Sequence, residues 1–341
     1  MGALLGSVQS KRAHGSKADG QAASGLGLVG DIGGTNARFA LAEAGPNGVS
    51  ITGYENLLCR DYPGIQEALA DYFGRVGLKS APDGCVIAVA GPVTRGAISL
   101  TNVDWSFSEG DLRSMGFGAA RLINDYVALA LGAPACSGDG LRHVGGPAQG
   151  EPGETVAVAG AGTGFGVSAV GKDDRGQATL ATEGGHIAFA PVDDLEIEIL
   201  KVLRAEYGRV SVERILSGPG LAALHGALAK IHGEAAPDLK PHQIGEAAKA
   251  GDPACGRTVE QFFAIFGSVA GDLALALGAR GGMYLGGGIA PTLAAQLEAS
   301  RFRARFEDKG RFHGYLAAIP TWIITSRDCA MIGAGQALAE L

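Results

Sequence analysis

The chain has 341 residues, with 35 acidic and 28 basic side chains, a formal net charge of −7, 18% charged and 46% apolar residues. That balance excludes a disordered chain and disfavours nucleic acid as a partner, since neutralising phosphates takes a basic face. Small anions stay open, because backbone N–H groups bind them without net positive charge.

The length predicts two domains or two halves of a duplicated fold. Glycine stands out at 56 residues, in compact clusters beside apolar runs where the backbone turns sharply or approaches something closely. Five scattered cysteines with no C-x-x-C pair argue against a disulfide framework or a structural zinc site and predict a reducing, cytoplasmic compartment. Residues 1–25 read as a flexible polar tail, with Lys11, Arg12 and Lys17 and an apolar patch too short for a signal core. The longest apolar helix signal, near 261–279, contains Asp272, so no membrane span is expected.

In chain order, strands are expected at 26–31 and 38–42 around a Gly-Gly-Thr turn, a helix at 65–75 and a buried strand at 85–90. A helix starts at 108–113 with Ser108 as cap, and a strand at 121–123 runs through Asn124 and Asp125 into a helix at 126–131. Strand, glycine turn and strand recur at 155–159, 160–166 and 167–170, about 130 residues after the first set, which suggests an internal duplication. Helices follow at 193–207, 212–216, 220–231, 244–250 and 258–277, then a strand at 283–285, a strand at 322–325 and a helix from Ala330. The mixture is α/β with mixed sheets.

Two glycine turns could bind phosphate. In the first, Gly33 and Gly34 expose backbone N–H groups, Thr35 and Asn36 add donors, Arg38 adds charge, and Asp31 suits a hydrated Mg²⁺ met through water or phosphate. The second contains Gly162, Thr163 and Gly164. Neither is a Walker A loop or a G-x-G-x-x-G fingerprint, but facing each other they could clamp a triphosphate. Asp125 could take the proton of a hydroxyl attacking a γ-phosphate; by local sequence alone the pair Asn124-Asp125 reads as a helix cap, and both roles can coexist. Glu183, His186 and Glu213 offer bidentate hydrogen bonds to sugar-like hydroxyls. By itself His186 reads as a core histidine and Glu213 as a solvated helix charge. Gly286, Gly287 and Gly288 would let a flat ring lie on the backbone at a helix start, or form a plain strand-to-helix turn.

Together the segments LVGDIGGTNARFAL, LTNVDWSF, INDYVALA, AGAGTGFGV, EGGHIAFAP, SVERILSGPG, LGGGIAP and FEDKGRF resemble the bacterial glucokinase family of the actin-like ATPase and sugar-kinase superfamily, from about Leu28 to Leu338. The resemblance implies two ribonuclease H-like α/β domains around a central cleft, a small one at 26–123 and a large one at 124–341, with the C-terminal helix returning to the small domain. It implies ATP, Mg²⁺ and glucose as ligands, phosphorylation at glucose O6, and a homodimer. Asp125 corresponds to the general base and Asn124, Glu183, His186 and Glu213 to glucose-binding residues, with Asn102 lining the sugar pocket. The turns at Gly33–Asn36 and Gly162–Gly164 correspond to phosphate loops and Gly286–Gly288 to the adenosine region. The cysteine-rich zinc motif of repressor-like relatives has no match, so no zinc is expected. The alternatives are a kinase for mannose or an amino sugar, which a substrate panel separates, and a sugar-binding regulator without catalysis, which would need a DNA-binding element.

Overall fold

The apolar runs on either side of the first glycine turn form strands β1 (Leu26–Ile32) and β2 (Asn36–Gly45), paired antiparallel. The computed structural model describes residues 25–45, 48–100, 103–136, 138–173, 176–235 and 237–341. Strand β3 (Gly48–Leu58) adds antiparallel to β2. Helix α1 (Ile65–Val76) follows, and β4 (Gly84–Val89) pairs parallel to β1. A ribbon of β5 (Ala97–Ser99) and β6 (Ser106–Ser108) leads into α2 (Glu109–Ser114), where Ser108 caps the Asp111 amide as the sequence predicts and Asp111 caps the Ser108 amide in return. Strand β7 (Ala119–Asn124) completes a sheet ordered β3-β2-β1-β4-β7.

Helix α3 (Asp125–Gly132) leads to β8 (Leu141–Gly145) and then to a second hairpin, β9 (Val156–Ala161) with β10 (Phe165–Asp173), extended by β11 (Gly176–Thr182). Four helices follow, α4 (Asp194–Tyr207), α5 (Gly218–His232), α6 (Pro241–Lys249) and α7 (Pro253–Leu277). Strand β12 (Gly282–Gly286) is parallel to β9; after it come α8 (Ile289–Thr292), α9 (Ala294–Ala299), α10 (Phe302–Glu307) and α11 (His313–Ala317). Strand β13 (Thr321–Ile324) and α12 (Cys329–Leu338) end the chain. The second sheet is ordered β11-β10-β9-β12-β13-β8. Apart from β8 it repeats the first: three strands joined antiparallel, then two parallel ones. The duplication legible in two glycine turns thus extends to the whole strand order.

Both faces of the inner strands are covered, which is why they read as continuous apolar runs. Leu28, Phe39 and Ile87 face a core shared with α1 and α2, while their neighbours Val29, Ala40 and Val86 face the other way. That second face meets α3 and α12, which also pack with Val158, Val170 and Ile324 of the second sheet. The two helices are therefore sandwiched between the sheets, with Val127 and Leu131 of α3 buried, each worth about 1.5–3 kcal/mol relative to exposure. Leaving β13 of the second sheet, α12 lies on β1, β2, β3 and β4 of the first.

One expectation is revised. Residues 212–216 form a turn rather than a helix, because hydrogen bonds from the amides of Val212 and Glu213 go to Ile187 and Gly185. Helix α7 is long and apolar enough to cross a membrane by length and composition, yet most of it is buried in the core of the second half.

Candidate active site

Strands β1, β4 and β7 run parallel and finish side by side, Asp31 paired in register with Ala88 and Val89 with Asn124. Asp31, Asn124 and Asp125 consequently emerge at the carboxyl edge of the sheet, where open α/β sheets bind ligands. Asn124 caps α3 by accepting from the Tyr126 amide at 2.9 Å, and its Nδ2 donates to the Gly91 carbonyl at 3.2 Å. Asp125 is the first helical residue, its Oδ1 accepting from the Tyr126 amide at 3.0 Å. Burial, with the negative charge of Asp31 adding to it, pushes the Asp125 carboxyl up to about 6, against the opposing pull of hydrogen bonds from neighbouring groups. The Tyr126 hydroxyl donates to the Gly160 carbonyl at 2.8 Å, and a Cβ on Gly166 would stand 2.1 Å from the Tyr126 ring, so the first turn of α3 is fixed on β9 and β10.

Asp31 accepts from Arg38 Nη1 at 2.6 Å across the hairpin. Replacing Asp31 by Asn removes the like charge beside Asp125. A ¹³C NMR titration of the Asp125 carboxyl should then show its midpoint below about 6, and an unmoved midpoint would mean that Asp31 does not act on it.

Glu183 and His186 lie on one turn after β11, with His186 Nε2 3.9 Å from Glu183 Oε2 and both side chains well exposed. His186 is thus no core histidine. The turn is fastened to residues 209–213: the Val212 amide donates to Ile187, the Glu213 amide to Gly185 at 2.9 Å, and Arg209 Nη2 to the His186 carbonyl at 2.7 Å. Glu213 sits on this fastening rather than on a helix, its Oε2 accepting from the Phe165 amide at 2.9 Å. Asn124 and Glu183 line one cavity of about 430 Å³. Asn102 lies outside the described residues.

The two hairpins end alike. Gly33 donates to the Asn36 carbonyl at 2.9 Å and Gly162 to the Gly164 carbonyl at 2.8 Å, leaving Thr35 and Thr163 exposed at the tips. Arg38 and Gly286–Gly288 meet on a larger cavity of about 710 Å³, joined there by Tyr54, Asn56 and Arg327; Gly33, Gly34, Gly162 and Thr163 do not line it. Gly287 needs to be glycine: its φ is +74°, and a Cβ would lie 2.3 Å from the Ala161 carbonyl oxygen. Beside it, sharing Gly288 and Thr292, is an apolar recess of about 200 Å³ lined by Leu221, Pro241, Ile289 and Leu293. Sequence reasoning missed this recess, as well as Tyr54, Tyr126 and Arg327. No spacing signal links these residues, because they converge from separate elements.

Among the described residues no group of three or more His, Cys, Asp or Glu could cage a metal. Asp31, paired with Arg38 and near Asp125, is a carboxylate of the kind that would suit Mg²⁺ carried mainly by phosphate oxygens.

A family model described as Glucokinase matches residues 28–341. A glucokinase of Caulobacter sp. (strain K31) is 51% identical over 318 residues, 92% of this chain and 95% of its own. A glucokinase of Chromohalobacter salexigens is 43% identical over 312 residues, 91% of this chain and 97% of its own. Among solved structures, a glucokinase from an Antarctic psychrotroph superposes with a TM-score of 0.87 at 38% identity, covering 93% of this chain and 99% of that one. A ROK family glucokinase from Streptomyces griseus, in complex with glucose and AMPPNP, has a TM-score of 0.60 at 19% identity, covering 93% and 100%, and attests the fold alone.

Proposed function

The chain belongs to the glucokinase family, and from that premise we propose that it transfers the γ-phosphoryl group of ATP to O6 of glucose with Asp125 as the general base. The observation that carries the assignment of the base is a half-buried carboxyl, pushed up to about 6, at the carboxyl edge of the first sheet and beside Asn124 and Asp31. Residues 26–123 and 124–341 are read as the two lobes, with α12 of the second laid on the first.

Asn124, Glu183, His186 and Glu213 would hold the sugar, each offering an acceptor or donor to neighbouring hydroxyls. An aliphatic hydroxyl is far too weakly acidic to ionise first, so Asp125 orients it and takes its proton late, as the O6–phosphorus bond forms. The exposed tips at 33–36 and 162–164 present backbone N–H groups and threonine hydroxyls to the phosphates, and Arg38 supplies fixed positive charge. Gly286–Gly288 give a flat floor for the nucleoside, and the recess of Leu221, Ile289 and Leu293 gives an apolar slot for its base. Asp31 would help hold Mg²⁺, which when bound neutralises charge on the transferring phosphoryl group. Water competes with the sugar as nucleophile, so closure of the lobes on the sugar is expected to complete the site. A cytoplasmic location, supported by five free cysteines, and a homodimer, supported by the family resemblance, belong to the same reading.

The test is glucose-dependent ADP release from MgATP, with glucose 6-phosphate identified as product and mannose and glucosamine run in parallel. Rapid product from glucose, with the epimer and the amino sugar much slower, supports the assignment. Preference for another sugar would move the substrate, and binding without any product would make the chain a sugar-binding regulator.

A further inference from the structure

The two carboxylates assigned to the sugar do not sit alike. Glu183 is exposed, whereas Glu213 is partly buried and already engaged, its Oε2 holding the Phe165 amide at 2.9 Å. Phe165 directly follows the 162–164 turn, which is closed by the Gly162 amide on the Gly164 carbonyl and anchored by the Gly218 amide on the Gly162 carbonyl at 2.7 Å. On its other side the Glu213 amide donates to the Gly185 carbonyl, and Gly185 packs so tightly on Phe165 that a Cβ would stand 2.1 Å from the Phe165 carbonyl oxygen. One residue thus touches both the turn that carries Glu183 and His186 and the hairpin that carries Thr163. With Oε2 on the amide, Oε1 is left for a hydroxyl.

We infer that Glu213 is a positioning residue for phosphoryl transfer as well as a sugar contact, linking sugar occupancy to the 162–164 hairpin. A hydroxyl drawn to Oε1 fixes the carboxylate, the carboxylate fixes the Phe165 amide, and the amide fixes the hairpin that meets the phosphates. The inference rests on the sugar-kinase reading above. Such a link is reciprocal: sugar tightens nucleotide by the same factor as nucleotide tightens sugar. It also disfavours phosphoryl transfer to water, because the carboxylate that holds the Phe165 amide is itself fixed only when a hydroxyl occupies Oε1.

The experiment is a calorimetric titration of the full chain with MgAMPPNP, with and without saturating glucose, and of glucose with and without MgAMPPNP. In the wild type each ligand is expected to tighten the other about tenfold, within the range usual for coupled sites. Glu213→Gln keeps an acceptor oxygen for the Phe165 amide, so it should weaken glucose binding but keep the tenfold factor. Gly164→Ala retains the carboxylate yet places a Cβ 2.5 Å from Oε2, pushing it off the amide, and the factor should fall to about one. Glu213→Ala should do the same by removing the link outright. Wild type that binds both ligands independently, or coupling that persists in Gly164→Ala or Glu213→Ala, overturns the inference. Failure of the wild type to bind either ligand would instead overturn the functional reading.

Discussion

Asp125→Asn is expected to cut turnover by roughly 10²–10⁴, the usual worth of a positioned base, while making the protein more stable at neutral pH. The stability gain follows from the direction of the shift. The folded carboxyl titrates at about 6 against an ordinary 3.8, so between these values the folded state binds more protons than the unfolded one. Stability contributed by this group is therefore present below about pH 4 and lost as pH rises through about 6. At pH 7 the ionised carboxylate is held at a cost of about 3 kcal/mol, reckoned at 1.36 kcal/mol per pKa unit. Asparagine has the same shape and no charge, so its melting temperature should exceed that of the wild type at pH 7.5, with the difference closing near pH 4. In the wild type, kcat/KM should lose about tenfold per unit below pH 6. Near-normal turnover in Asp125→Asn would remove Asp125 as the base, and a lower melting temperature at pH 7.5 would contradict the buried-charge argument.

Gly333→Ala should lower stability by several kcal/mol, through overpacking of the crossing between α3 and α12. A Cβ at Gly333 would stand 1.8 Å from the Ala128 carbonyl oxygen, and one at Gly132 would stand 2.0 Å from the Cys329 carbonyl oxygen. In both cases the obstacle is backbone, which cannot rotate away as a side chain can. The helices would have to separate, opening the core of Val127, Leu131, Met331 and Ala334 between the two sheets. Since α3 also carries Asp125 at its first turn, turnover should fall along with stability. Denaturant unfolding with paired activity measurements checks this. A midpoint within error of the wild type would show that the crossing yields at little cost.

Much of the architecture was legible because it is written in local pattern. The inner strands β1, β4, β9 and β12 are short apolar runs, covered on both faces, and the glycine turns stand where the sequence puts them. Helix ends followed from the same local chemistry, as with the Ser108 side chain accepting from the Asp111 amide at the start of α2.

What the local pattern left out lies mostly at edges and crossings. Strands β3, β8 and β11 are all edge or near-edge members with largely solvent-facing residues, so neither apolar periodicity nor a buried run marks them. Their place is set by backbone hydrogen bonds to a neighbouring strand, which no side chain announces. The stretch 212–216 has a helical apolar spacing, yet its amides are drawn to the 185–187 backbone, and that contact turns Glu213 from a solvated charge into a carboxylate bound to the Phe165 amide.

The sequence by itself determined the α/β class, the family and the paired glycine turns, because each depends on residue type and near-neighbour spacing. Only the tertiary structure decided that Gly132 and Gly333, about 200 residues apart, let two helices touch between the sheets, that Asp31 helps to raise the Asp125 carboxyl, and that Glu213 holds the Phe165 amide. Those outcomes rest on contacts and burial between distant segments, and such contacts do not exist until the chain has closed on itself.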